Sequence, residues 1–308
     1  MKKKVSSVLL LLALSIGVTF GQGFTFKVLA NKGQNKVRKS SGEVIVLKTG
    51  ALLYEEEELL TSSDAYIGLM HKSGKTYEIR GEGTKKVAEL ASKVNTKKTS
   101  AASRYAQFIA AKMNEGDKNS LSSRTNTTGA VTRAVDGGSI QVLLPSSVDV
   151  FSTDAVVRWR VPQDTEEDAQ FIVSIKNIFD EEIFKQETDK THIDLNFDEM
   201  ENESGLYILN VTQKDNAEVT SGDYGIKKVN ASDKPDIAEN LTALTEEVAE
   251  DSPLSKVVLA TFFEENALLL DALTMYEEAI QLSPEVESFR ELYEDFLVKN
   301  GIVQIESE

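Results

Sequence analysis

The chain has 308 residues, a formal net charge of −16 and no cysteine. Its length suits two or three domains, each able to bury a core. The lack of cysteine excludes a disulfide framework, a lipid-anchored cysteine and any thiol-based metal or nucleophilic site.

Charge is unevenly spread. Residues 22–139 carry a net +7 and residues 140–308 a net −26. The acidic half favours solubility, and the basic half attracts anionic partners. Nucleic acid is not expected as a partner of a chain with this acidic balance.

At the N-terminus, Lys2, Lys3 and Lys4 precede an apolar run over 8–18, which small residues close around Gly21. That run is too short for a mature membrane helix and reads as a signal peptide over 1–21, cut before Gln22. No later stretch approaches the roughly 18 apolar residues of a membrane span, so the mature chain is expected to be soluble, periplasmic or extracellular. A cysteine-free exported chain of this size fits a bacterial envelope.

Residues 22–94 read as a β module. Strands are predicted over 24–30, 43–47, 65–71 and 76–80, with turns at Lys32-Gly33 and Lys72-Ser73-Gly74-Lys75. Residues 66–70 and 73–79 form a hairpin whose Ser73-Gly74 pair supplies the positive φ of a tight turn. Gly68 inside a strand marks a bulge or a close backbone approach. The four carboxylates Glu55 to Glu58 read as a solvated turn and not as a calcium loop, because they do not alternate with glycine or asparagine. His71 and His192 share no spacing pattern, so zinc is not expected.

The segments Gly42-Glu43-Val44, Leu59-Leu60-Thr61-Ser62-Ser63-Asp64-Ala65-Tyr66-Ile67-Gly68-Leu69 and Ser73-Gly74-Lys75-Thr76-Tyr77-Glu78-Ile79 resemble the FecR-like domain of bacterial envelope proteins. The resemblance covers about fifty residues and implies a non-catalytic β module that mediates contacts. The chain departs from the signalling members of that family, which place the domain beyond a membrane helix and a cytoplasmic segment.

Residues 95–138 read as helix and linker. Thr84 is expected to cap a short helix with Val87, Leu90, Ala91 and Val94 inward. A second helix is predicted over 100–113, with Tyr105, Phe108, Ile109 and Met113 as its apolar stripe, packed on the β module or lying on a membrane. Residues 116–132 have linker composition.

Residues 139–230 return to strand character over 140–145, 155–161, 171–178, 182–188, 193–197, 205–213 and 224–229, a spacing that argues for a sandwich. Trp159 and Tyr207 lie where an immunoglobulin-like or fibronectin type III-like domain keeps its core tryptophan and late-strand tyrosine. The segment resembles such domains over about ninety residues. Trp159 is expected in the core, and a sugar-stacking platform is the other use of a lone tryptophan.

Residues 235–308 change to helical period. Pro235 and Pro253 start helices, and 287–299 forms a final one that stops at Gly301. Leu259-Ala260-Thr261-Phe262-Phe263, then Ala272, Tyr276, Ala279 and Pro284, resemble a tetratricopeptide repeat, with Ala260 in place of the usual Gly and Lys256 in place of Trp. One repeat cannot bury its faces alone. Leu259, Phe263, Tyr276 and Phe296 are therefore the candidate partner-binding residues, whether the partner is an envelope protein or the chain's own sandwich.

No phosphate loop, metalloprotease motif or nucleophile elbow occurs. No catalytic residue, cofactor or metal site is assigned, and the chain is not expected to be an enzyme. The predicted class is a multidomain β-rich plus α protein. It would be an exported binding or scaffold protein of the bacterial envelope. The rival readings are a component of an envelope signalling system and a carbohydrate-directed binding protein.

Overall fold

A computed structural model describes residues 23–94, 101–119, 134–135, 139–249 and 251–303. The signal segment, residues 120–133 of the polar stretch and the last five residues lie outside them. Among the described residues the fold is mixed and β-rich, with several antiparallel sheets and six helices, four of which follow residue 234.

The first group of strands is β1 (Phe26–Lys32), β2 (Lys36–Arg38), β3 (Val44–Val46), β4 (Leu52–Leu53), β5 (Glu58–Thr61), β6 (Tyr66–His71), β7 (Thr76–Arg80) and β8 (Gly83–Lys86). They form two four-stranded sheets, ordered β4-β1-β6-β7 and β3-β2-β5-β8. A core of Phe26, Val28, Val37, Leu59, Ile67 and Leu69 lies between them. Every residue of β6 is buried. Ile67 and Leu69 face this core, whereas Tyr66 and Met70 face helices on the other side. That double burial follows from the period of two in a strand covered on both faces.

The Ser73-Gly74 turn is as read from sequence: Gly74 has φ +85° and its N–H donates to the His71 carbonyl at 2.7 Å. Two expectations change. Thr84 caps no helix; it lies in β8 opposite Leu60, where a β-branched residue suits the pleat. Helix α1 (Val87–Lys93) instead begins after Lys86, with no side-chain cap. The glutamate run is only half solvated. Glu57 is buried, pairs with Lys39 at 2.7 Å and accepts the Tyr54 N–H, while Glu58 opens β5 and pairs with Arg38.

Helix α2 (Ala101–Asn119) runs past the predicted end at 113 and lies on β1, β6 and β7. Tyr105 and Ile109 are buried and Phe108 is half-buried.

The second group is β9 (Ala134–Val135), β10 (Gln141–Val142), β11 (Ser147–Val150), β12 (Asp154–Pro162), β13 (Phe171–Lys176), β14 (Glu182–Thr188), β15 (His192–Asn196), β16 (Leu206–Gln213), β17 (Asn216–Thr220) and β18 (Tyr224–Lys228). One sheet runs β10-β12-β15, with β9 on β12; the other runs β11-β18-β16-β13-β14, with β17 on β16. Ala155, Val157 and Trp159 alternate inward along β12. Trp159 is 2% exposed and meets Phe171 edge-on at 5.8 Å. The late tyrosine, Tyr207, is buried against Phe197 at 5.0 Å.

The helices α3 (Pro235–Thr245), α4 (Pro253–Glu265), α5 (Leu269–Leu282) and α6 (Glu287–Lys299) follow. Pro235 and Pro253 each sit in the first turn, where a missing N–H costs nothing. Gly301, at φ +67°, ends α6, and the Ile302 N–H returns to the Leu297 carbonyl. One apolar cluster joins Leu29, Tyr66 and Met70 of the first strands, Tyr105 and Ile109 of α2, Trp159 and Val157 of the sandwich, and the C-terminal helices.

Candidate functional site

The C-terminal helices lie between the two β groups and touch both. Helix α5 rests on β12 and β11, and α6 on β1. A polar stripe at three-residue spacing on α5 makes the first contact, because residues i, i+3 and i+6 share a helix face. Asp271 accepts the N–H groups of Phe151 at 2.8 Å and Ser152 at 2.6 Å. Thr274 Oγ1 accepts the Val156 N–H at 3.0 Å. Glu277 takes Nε and Nη2 of Arg158 at 2.6 and 2.8 Å, and also the Tyr293 hydroxyl at 2.8 Å. Burial pushes the Asp271 carboxyl up despite these donors, and burial with the Glu277 charge pushes the Tyr293 hydroxyl up.

On the opposite side, the Ser288 hydroxyl donates to the Leu29 carbonyl at 3.3 Å and Lys32 pairs with Glu285 at 2.7 Å. Ser252 caps α4 by accepting the Ser255 N–H and donates to Glu78 on β7. Gly68 allows this approach: a Cβ there would stand 3.2 Å from both Ala30 and Leu254. Of the two readings of a glycine inside a strand, the bulge is present on the partner, where β1 shifts register between Val28 and Ala30, the residue opposite Gly68, and the close approach is that of the Leu254 side chain of α4.

At the centre, Glu264 is buried with Lys112 of α2 at 2.9 Å and Lys299 of α6 at 2.7 Å. Burial raises this carboxyl, but the two ammonium groups outweigh it and hold it below its ordinary value. Both lysines also lie over the Phe108 ring, at 5.0 and 5.7 Å.

The four candidate residues fall inside this layer. Tyr276 and Phe296 are fully buried and 5.3 Å apart, Phe263 is 2% exposed, and Leu259 is half-buried against the same core. The structure brings them together, and in this arrangement their apolar faces are covered by the chain itself. Sequence reasoning missed Asp271, Thr274 and Glu277. The signal was present as polar residues three apart in a helix with buried leucines around them.

What is open lies elsewhere. A cleft of about 610 Å³ runs between the sandwich and the α4–α5 pair, with Asp154, Asp194, Glu199 and Asp251 on its walls and Lys256 held by Glu278 at 2.6 Å. Its carboxylates outnumber its one ammonium, which favours cations. The turn between β13 and β14 presents Ile178 and Phe179, the latter 75% exposed. Asn177 fixes that turn by accepting the N–H groups of Phe179 and Glu181.

His71 Nδ1 lies 2.8 Å from the Ser73 hydroxyl, and burial lowers both His71 and His192. Among the described residues, no group of three His, Asp or Glu is placed to hold a metal ion, and no helix is long and apolar enough to cross a membrane. No family model, curated protein or solved structure matches the chain.

Proposed function

We propose that the chain is an exported, non-catalytic scaffold or binding protein of a bacterial cell envelope. In this reading it combines a FecR-like N-terminal module, an immunoglobulin- or fibronectin-like sandwich and a tetratricopeptide-like helical layer. The observation that carries it is the position of that layer. The helices are clamped on the turn before β12 by Asp271, on β12 by Thr274 and Glu277, and on β1 by Ser288, which supports a fixed body that presents its outer surfaces. Two of the buried carboxylates, Glu264 and Asp271, are occupied by internal contacts. Partners would meet exposed features such as the Phe179 turn, because Tyr276 and Phe296 are inside. The sugar-platform use of Trp159 loses its support, since its ring faces the core.

The test is fractionation of the native host with N-terminal sequencing, combined with photo-crosslinkers at Phe179 and, as a control, at Tyr276. The reading expects an envelope species starting at Gln22 and a discrete crosslinked protein from position 179 alone. Intact Met1 in the cytoplasm, or a crosslink from position 276 alone, would contradict it.

A further inference from the structure

We propose that copies of this chain join head to tail, the apolar tip of one copy's sandwich resting on the outer sheet face of the next copy's N-terminal strands. This names a partner for the Phe179 turn, so it rests on the reading that the turn meets partners, and not on export. The tip gathers three exposed apolar side chains from two segments. Ile178 and Phe179 form the β13–β14 turn. In the antiparallel β13–β16 register Lys176 lies opposite Ile208, which brings Leu206 to the same end of the sheet. Ile178 is 49% exposed and Leu206 39%.

The tip is held in shape and is acidic. Besides the bonds to the Asn177 side chain, the Asn177 N–H donates to the Glu181 carbonyl, and Asp180 takes φ +65°, a strained value for a residue with a side chain. A turn ordered in advance loses less entropy on docking. Lys176 pairs with Asp180 and Lys185 with Glu182. Glu181, and Glu201 and Glu203 in the turn before β16, are exposed and have no ion pair among the described residues, so the tip stays negative.

The face that fits it is the outer side of the sheet β3-β2-β5-β8. Residues opposite each other on neighbouring strands share a face. The register sets Val46, Lys36, Leu60 and Thr84 in one row and Val44, Arg38, Glu58 and Lys86 in the next. Val44 and Val46 are 45% and 62% exposed, and Leu60 is half-buried. Arg38 and Glu58 pair with each other. Lys36 and Lys86 are exposed and have no ion pair among the described residues, so this apolar strip is framed by ammonium groups. It complements an apolar tip framed by carboxylates. Both halves of the match lie on one chain, and that selects a second copy as the occupant. The sheet β4-β1-β6-β7 and the helices stand between the face and the sandwich, so a tip reaches this face only on another copy. Two unlike patches make a heterologous contact, which repeats from copy to copy into rings or open chains. Patches of this size bury less than the roughly 1,200 Å² of a standard interface, so association is weak.

Sedimentation of the chain from Gln22 onward, up to roughly 1 mM, tests this, that limit being set by the affinity expected of so small an interface. The expected result is reversible growth beyond a dimer that weakens as salt rises from about 0.05 to 0.5 M. The charge reversal Lys36→Glu/Lys86→Glu, at two exposed sites, should weaken growth about tenfold or more. Phe179→Ser spoils the tip, and Val44→Asp/Val46→Asp spoils the face. Each variant alone should stay monomeric with unchanged circular dichroism. Their equimolar mixture keeps one intact tip and one intact face, so it should form dimers and stop there. A wild-type chain that stays monomeric overturns the proposal, even if a crosslinker at Phe179 captures a different protein, which would leave the scaffold reading standing. So does growth that ends at a dimer, a folded variant that associates like wild type, or a mixture that stays monomeric.

Discussion

Arg158 on β12 grips Glu277 on α5 with two charge-assisted hydrogen bonds, 2.6 and 2.8 Å long. The pair joins the sandwich to a helix 119 residues further along the chain. Glu277 is the more buried partner, at 12% side-chain exposure against 32% for Arg158. Removing the carboxylate with Glu277→Ala also strands the Tyr293 hydroxyl, so a loss of about 1–3 kcal/mol is expected. Chemical denaturation measures it. In a double-mutant cycle with Arg158→Ala the coupling should be about 0.5–2 kcal/mol, and strict additivity would show the contact to be idle.

Acid should loosen the helical layer through Glu264. Its folded pKa lies below the ordinary 4.5 because Lys112 and Lys299 outweigh the burial that raises it. A depressed carboxyl adds stability that is present above the unfolded value and is lost as pH falls through the folded one. Asp271, Glu294 and Asp295 are raised, so their contributions run the other way. The informative quantity is therefore the difference between wild type and Glu264→Gln. Melting curves from pH 7 to pH 3 should converge as pH drops below about 4.5; parallel curves would refute the assignment.

At Gly68 an added methyl group meets Ala30 and Leu254 at 3.2 Å. Gly68→Ala should cost about 1–3 kcal/mol by pushing α4 off β6. Trimming the neighbour with Leu254→Ala in the same chain should make the glycine substitution cheaper. Equal costs in both backgrounds would argue against the close approach.

Trp159→Ala empties the largest side chain of the sandwich core and should cost about 3–5 kcal/mol. An unchanged midpoint in thermal unfolding would place the indole outside the core.

Local features were legible where local chemistry decides them. Strand character bounded by the Ser73-Gly74 turn marked β6, Pro235 and Pro253 marked helix starts, and Gly74 and Gly301 marked a positive-φ turn and a helix stop. Short strands escaped: β2, β4 and β11 have two to four residues, too few to show a period, and they exist through their neighbours. Glu57 looked solvated because its partner Lys39 is 18 residues away. The faces of α4 to α6 could be drawn from their apolar spacing, but not what covers them. That cover comes from β1, more than 250 residues earlier, and from β12.

Calorimetry of the chain from Gln22 onward tests the central claim most directly. If the C-terminal helices share one core with both β groups, unfolding should be a single transition whose calorimetric and van't Hoff enthalpies agree. Two separable transitions, with the N-terminal strands melting apart from the sandwich and helices, would contradict it.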